Sequence, residues 1–475
     1  MKYFKILFFL LLDLYICSCE KDRFITNSSA KLNFSVDTVY FDTVFTTLGT
    51  ATRRFTARNN YKDFIRISSV NLAKGGNSVF RINLDGIPGT EFSNIEIAPK
   101  DSLYIFVEAT LDPNNSNGIL LQQDSIVFTT NGNTQDVDLV AWGQDVHILR
   151  DSLLTTQTWT NEKPYLILDA AGIDSLNILT IEAGTKVYFH RNAAFYIFGT
   201  LEVKGNKNNP VIFQGDRLEK LYDDIPGQWK YIIMAPGSKN NSINYAEIKG
   251  GIIGLVLQTI PGKHDPIDLA ISNTIIKHMS AFGIRAADAR ITGYNNVFAN
   301  CGSSAIACEI GGKYEFYHCT IANRAVYGNS RNTPSVYLNN FYLYKDAENR
   351  EQAIINDLEK AHFGNCIIYG NLQNELGAMK YKNQGILNYT FDHCLTRFDP
   401  ALFNLTDKVH FTNIYNGEDP GFISWDKYDF HPDSAAFIID KGDISVGVIY
   451  PFDLDAISRT SDGKPDLGAF EFNHK

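Results

Sequence analysis

Side chains equipped for chemistry crowd into one part of the chain. Glu247 and Lys249 are followed by Lys277 and His278, then by Arg285, Asp288 and Arg290, and later by His318 and Arg324. Carboxylates interleaved with cations serve the cleavage or the binding of sugar polymers. Hydrolysis takes two carboxylates about 5–10 Å apart. Lyase chemistry takes a calcium-bridging carboxylate cluster and an Arg or Lys base. Neither a paired-Asp motif nor a dense Asp cluster stands here. The pattern therefore predicts a groove of Glu247, Lys249, His278, Arg285, Asp288, Arg290 and Arg324 that holds a polysaccharide or another extended polymer without cutting it. A lyase or hydrolase is the alternative, and an adhesion or assembly protein the second. No cofactor or metal is expected, with calcium entering only under the lyase reading.

These residues are spread over 78 positions (247 to 324), so something must bring them together. A short repeat supplies it. In His362-Phe363-Gly364-Asn365-Cys366-Ile367-Ile368, the six residues from Phe363 to Ile368 align with Ile243 to Ile248, Ile271 to Ile276, Gly293 to Phe298, Phe316 to Ile321 and Phe391 to Thr396. The third residues fall at 245, 273, 295, 318, 365 and 393, with gaps of 28, 22, 23, 47 and 28. The gap of 47 reads as two coils, one poorly matched. A period of this size built from short β-branched and aromatic runs predicts a β-solenoid. The first, fourth and sixth positions are mostly apolar or small, so the inward parity changes once, which a strand permits only at a bend. The residue at the bend is Asn or His in five copies and Tyr245 in the sixth. Asn and His tolerate the left-handed region that a sharp corner needs. This is the corner ladder of a right-handed parallel β-helix. Its coils stack about 4.8 Å apart, so residues far apart in sequence can share a surface.

The rest of the chain fits an exported all-β protein. It has 475 residues, 44% hydrophobic and 20% charged, and its net charge of −10 (43 − 53) excludes nucleic acid as the main partner. Helical periodicity is sparse; Asp346 to His362 is the best helix-like run. At the N-terminus, Lys2 and Lys5 precede an apolar stretch from Ile6 to Ile16, then Cys17-Ser18-Cys19. That is a secretion signal, too short to span a bilayer as a mature helix. Its Ile-x-Ser-Cys ending resembles a bacterial lipobox, which implies lipidation of Cys19, residues 1–18 as signal peptide and a membrane anchor in the cell envelope. Glu20-Lys21-Asp22 resembles the acidic tract of surface-exported Bacteroidetes-type outer-membrane lipoproteins. Five other cysteines, Cys301, Cys308, Cys319, Cys366 and Cys394, form neither an even set nor a close-paired spacing. Three of them share one inward column of the repeat. They read as buried packing residues rather than disulfides, zinc ligands or nucleophiles.

Residues 19–30 form a polar tether. Residues 31–146 carry about seven short strands between turn signals and resemble an immunoglobulin-like β-sandwich. Residues 147–428 form the β-helix. Val146 to Gly172 reads as a junction, and recognisable coils start at Leu179. The runs from Leu179 to Phe189 and Phe195 to Gly205, "GQWKYIIM" from Gly227 to Met234 and "FGNCIIYGN" from Phe363 to Asn371 resemble the pectate-lyase-like superfamily. That resemblance rests on coil pattern and on no catalytic motif. Residues 429–475 resemble the terminal segment of secreted bacterial β-helix proteins, with Ala435 where a Pro is usual. They are expected to cap the last coil, with Arg459 paired to Asp453, Asp455 or Asp466 inside the cap. Trp142, Trp159, Trp229 and Trp425 are scattered, so most aromatic residues should be core.

Overall fold

The computed structural model describes residues 23–46, 49–50, 52–112, 120–260, 263, 265–324, 331–461 and 463–472. The leader and Cys19 lie outside the described residues. The chain is 53% strand and 3% helical, which makes it all-β. It divides into two compact units, Met1–Asp145 and Val146–Lys475.

The first unit has two five-stranded sheets. One orders Asn33–Phe34, Arg53–Arg58, Ser102–Ala109, Phe80–Leu84 and Ile87–Gly89; the other orders Thr38–Phe45, Asn133–Gln144, Leu120–Thr130, Ile65–Leu72 and Glu91–Ile97. Pairing is antiparallel except between Thr38–Phe45 and Asn133–Gln144. Alternation along the strands drives Phe55, Phe80, Ile105, Val107, Phe128 and Leu139 into one core. In Ile65–Leu72 the inward set shifts parity from Ile67 to Val70 across a bulge. The architecture is consistent with the immunoglobulin-like sandwich expected.

The second unit is a parallel β-helix. Each coil runs through three strand columns; Ala194–Ile197, Thr200–Lys204 and Val211–Gly215 show the first, second and third. The third column is an 11-stranded sheet from His147–Leu149 to Tyr415–Asn416. The first two merge into one 17-stranded sheet, because Phe282–Tyr294 and Ile306–Tyr317 run through both. Inward residues stack coil on coil. Phe316, Phe363, Phe391 and Phe411 are buried at successive ring spacings of 5.3, 5.0 and 5.8 Å. Each buried ring contributes about 1.5–3 kcal/mol.

The corner between the second and third columns has the predicted backbone. Tyr245, Asn273, Asn295, His318, Asn365 and His393 have φ of 49°, 50°, 53°, 49°, 53° and 46°. Asn413 at 51° adds a seventh copy, Phe411 to Asn416, that the alignment passed over. The next position points inward, and Cys319, Cys366 and Cys394 sit there fully buried and free, as do Cys301 and Cys308 elsewhere. Burial pushes the Cys301 thiol up to about 12.

Four expectations are corrected. The 47-residue gap is one coil, since Tyr317 pairs with Gly364 and Thr320 with Ile367. Its surplus residues include an antiparallel hairpin, Phe341–Lys345 with Glu351–Ile355. The helix-like run from Asp346 is that hairpin's turn and return strands. The Asp346 carboxylate accepts the backbone N–H of Glu348 and Arg350 at 3.1 and 2.9 Å, closing a turn where a helix cap was expected. Val146 to Gly172 already forms coil strands, short ones, with Trp159 stacked inside on Tyr165 at 4.2 Å.

The fourth concerns the C-terminal segment. It caps a flank of the solenoid instead of its last coil. Phe422, Phe430, Ile438, Leu454, Leu467 and Ala469 bury the outward faces of Val297, Ala299, Ala322, Ile367 and Leu395 in the third column. That apolar stripe is what needed covering. The corner ladder ties the segment down: Asn365 exchanges two hydrogen bonds with the Asp443 backbone at 2.7 and 3.0 Å, and Thr320 Oγ1 accepts the Ala469 N–H at 2.9 Å. Arg459 is fully buried, 2.5 Å from Glu471, and donates to Asn295 Oδ1 at 2.9 Å. Asp453 accepts the Glu471 N–H at 2.8 Å. The internal ion-pair network is present, with Glu471 as the direct partner. Asp455 lies outside it, beside His431.

Candidate functional site

The seven groove residues do not converge. Glu247, Lys249, His278 and Arg324 lie on the third column or just beyond it, Arg285 on the first, Arg290 on the second, and Asp288 is buried at the bend between the first two. Glu247 lies 3.0 Å from Lys277, and Lys249 lies 3.7 Å from Asp223. Arg285 pairs with Glu309 at 2.7 Å, Arg290 stands 4.0 Å from Asp268, and Arg324 covers the Trp425 ring at 4.1 Å. His278 is a fully buried residue at φ 56°, edge-on to Tyr428 at 4.5 Å. Burial takes its pKa down to about 3, so it stays neutral. His318 is likewise buried, held below its ordinary value, and lies 3.1 Å from Asn365 Nδ2. Both histidines are structural.

What the structure does build is a cleft around Tyr245. Between the corner ladder and the returning C-terminal segment lie two cavities of about 380 Å³ each, and Tyr245 and Asn273 line both. On one side stand Tyr294, Asn295, Tyr450 and Phe452. On the other stand Lys207, Glu247, Tyr428, His431 and Asp455. The coil register makes this arrangement: Asn244, Ser272 and Tyr294 are successive partners, so corners 245, 273 and 295 stack directly. The floor amides are fixed. Asn273 Nδ2 donates to Asn244 at 2.9 Å, and Asn295 Nδ2 donates to Asn273 at 3.0 Å. Tyr294 stacks on Tyr450 at 4.6 Å, and Phe452 stands 56% exposed on the rim.

Most charges of the cleft are paired. Burial pulls Glu247 upward, but Lys277 and then Lys249 outweigh it and leave the carboxyl below its ordinary range. His431 has Asp429 2.6 Å from Nδ1 and Asp455 2.9 Å from Nε2. The Asp455 hydrogen bond chiefly, with Asp429, raises His431, and His431 in turn lowers Asp455. Glu247 and Asp455 are thus biased toward the carboxylate, and both ring nitrogens of His431 face a carboxylate. Carboxylates accept hydroxyls and orient them.

Asp392, His393 and Asp443 bring three metal-capable atoms within 4.8 Å of one another. Their atoms already have partners: Asp443 accepts the Ser445 N–H and hydroxyl at 3.0 and 2.8 Å as the cap of the helix Ile444–Ile449, and Asp392 lies 2.9 Å from His393. The cluster reads as capping.

The sequence reading missed Tyr294 and Tyr450, and took Tyr245 only as an irregular corner. That irregularity was the available signal.

No family model matches the chain, and no curated protein does. Among solved structures, a family 123 glycoside hydrolase from Clostridium perfringens matches with a TM-score of 0.17 and 8% identity over 24% of this chain; the chain spans 25% of its length. The catalytic domain of a GH87 α-1,3-glucanase variant in complex with nigerose matches at 0.20 and 8% identity, over 78% of this chain and 87% of that one. A second variant of that domain gives 0.17 and 9% over the same shares. At this level of similarity, function rests on the geometry of the chain itself.

Proposed function

We propose that this chain binds an extended glycan without cleaving it, in the cleft around Tyr245. One observation carries the reading: a ladder of amide and imidazole corners begins with a tyrosine, and that tyrosine lines two cavities. Tyrosine rings offer apolar faces to sugar rings and keep a hydroxyl for hydrogen bonding. Floor amides and ionised, paired carboxylates suit sugar hydroxyls. Because corners recur with each coil, the cleft runs along the stack and accepts a linear polymer. The chain would do this at the cell envelope, held by a lipid on Cys19 as an outer-membrane lipoprotein of Bacteroidetes type. Cys19→Ala should move the protein out of the membrane fraction; retention there overturns the anchor. The binding reading is tested with a glycan array and a turnover screen on the chain from Lys31 onward. Retention of a polysaccharide with no new chain ends supports it. Release of unsaturated or reducing ends overturns it in favour of a lyase or hydrolase.

A further inference from the structure

A smaller cavity, about 220 Å³, opens on the first strand column. Its floor is apolar, with Val256, Ala287 and Ile310, and one wall carries Arg285 and Glu309. The register sets this up: Gln258, Ala287 and Glu309 are partners on successive coils, and Val256 partners Arg285 in the neighbouring row. The opposite wall is Tyr342 and Asn356, brought by the hairpin Phe341–Lys345 with Glu351–Ile355. The one insertion that interrupts the coil repeat at this point therefore closes a cavity.

A second feature marks the same place. Ile310 has φ of 58°, in the left-handed region that β-branched residues rarely occupy. Gly311 and Gly312 follow it with φ of 79° and 108°. The bend thus spends glycine on its next two positions and keeps a strained isoleucine where the side chain lines the cavity. The Asn339 side chain pins that conformation by accepting the Ile310 N–H at 2.8 Å. Strain held in place by its surroundings gathers at ligand sites.

Charge and size select the ligand. Arg285 Nε donates to Glu309 Oε2 at 2.7 Å, so the lining is charge-balanced and otherwise carries only amides, hydroxyls and apolar groups. An anion would face Glu309, and a cation Arg285. A volume of 220 Å³ is about seven waters at ~30 Å³ each, which suits one six-membered sugar ring. We propose that this cavity binds a single uncharged pyranose unit, with Arg285 donating to one hydroxyl, Glu309 accepting from its neighbour, and the ring face resting on Val256 and Ile310. The site lies on a different column from the Tyr245 cleft and does not depend on it.

The test is calorimetric titration of the chain from Glu20 onward with neutral hexoses, their matched uronates and their methyl glycosides. A neutral hexose should bind, its uronate about tenfold more weakly or worse, and Arg285→Ala and Glu309→Gln should each weaken it about tenfold. Tyr245→Asn should leave it unchanged. Equal affinity for the methyl glycoside identifies the unit as a chain terminus, and loss of it identifies a free sugar. Arg285→Lys keeps the charge and the fold while removing the planar fork, so its weakening shows the effect is recognition. The proposal is overturned if no neutral hexose binds at millimolar concentration, if the uronate binds as well, or if folded Arg285 and Glu309 variants bind like the parent.

Discussion

Replacing Tyr245 by Asn separates the fold from the site. Tyr245 holds φ of 49°, and Asn fills the next two corners at 50° and 53°. A bulky residue in the left-handed region costs about 1–2 kcal/mol, which Asn largely avoids. Against this gain, the half-buried ring packs, like Ile275, against the buried flank cluster, and losing that packing costs about 1–2 kcal/mol. The two nearly cancel, so the melting temperature should stay within about 3 °C of the parent. Binding has no such offset. A sugar ring covering about 60 Å² of the tyrosine face, at about 25 cal/mol per Å², contributes about 1.5 kcal/mol, or roughly tenfold in Kd. Circular-dichroism melts and affinity electrophoresis on the array's best polysaccharide read the two quantities separately. A variant that melts like the parent and binds like it would refute the cleft. A fall of ten degrees or so in Tm would refute the corner energetics.

The buried pair Arg331–Glu375, 2.6 Å apart with neither side chain exposed, makes Glu375→Ala cost about 3–5 kcal/mol by leaving Arg331 unpaired; a urea midpoint close to the parent would contradict this. Burial pulls the Glu471 carboxyl upward against the pull of Arg459, 2.5 Å away. With Arg459 fully buried, Glu471→Gln leaves a buried cation without its counter-ion and should cost about 3–5 kcal/mol; hydrogen exchange over residues 463–472 no faster than in the parent would contradict it. The five buried cysteines should resist a thiol reagent in the native chain from Lys31 onward and all react in guanidinium; fast native labelling of Cys366 would overturn its place in the interior column.

Much of the fold was legible because it is repetitive and local. Asn273, Asn295 and Asn365 declare a left-handed corner by residue type, and Cys319, Cys366 and Cys394 declare an inward position by recurrence. The hairpin was not legible: a gap of 47 has the arithmetic of two coils, and Asp346 followed by charged residues reads as a helix cap until its carboxylate is seen to close a turn. The flank was not legible either. Phe430 and Leu467 meet Val297 and Ile367 only after the chain reverses along the solenoid, and no local pattern encodes that reversal. The predicted groove failed for a related reason. Glu247 and Arg285 are close in sequence and in coil number, but charge patterning carries no information about which column a residue faces. Tyr245 was visible as an exception to its column, and only the cavities beside it showed what the exception does.

Hydrogen-exchange mass spectrometry of the chain with and without its polysaccharide tests the central claim most directly. Binding in the Tyr245 cleft predicts slowed exchange at residues 244–246, 272–274, 294–296 and 449–453, with the outward strands of the second column, such as Thr200–Lys204, unchanged. Protection along the second column or in the N-terminal sandwich, with none around Tyr245, would contradict it.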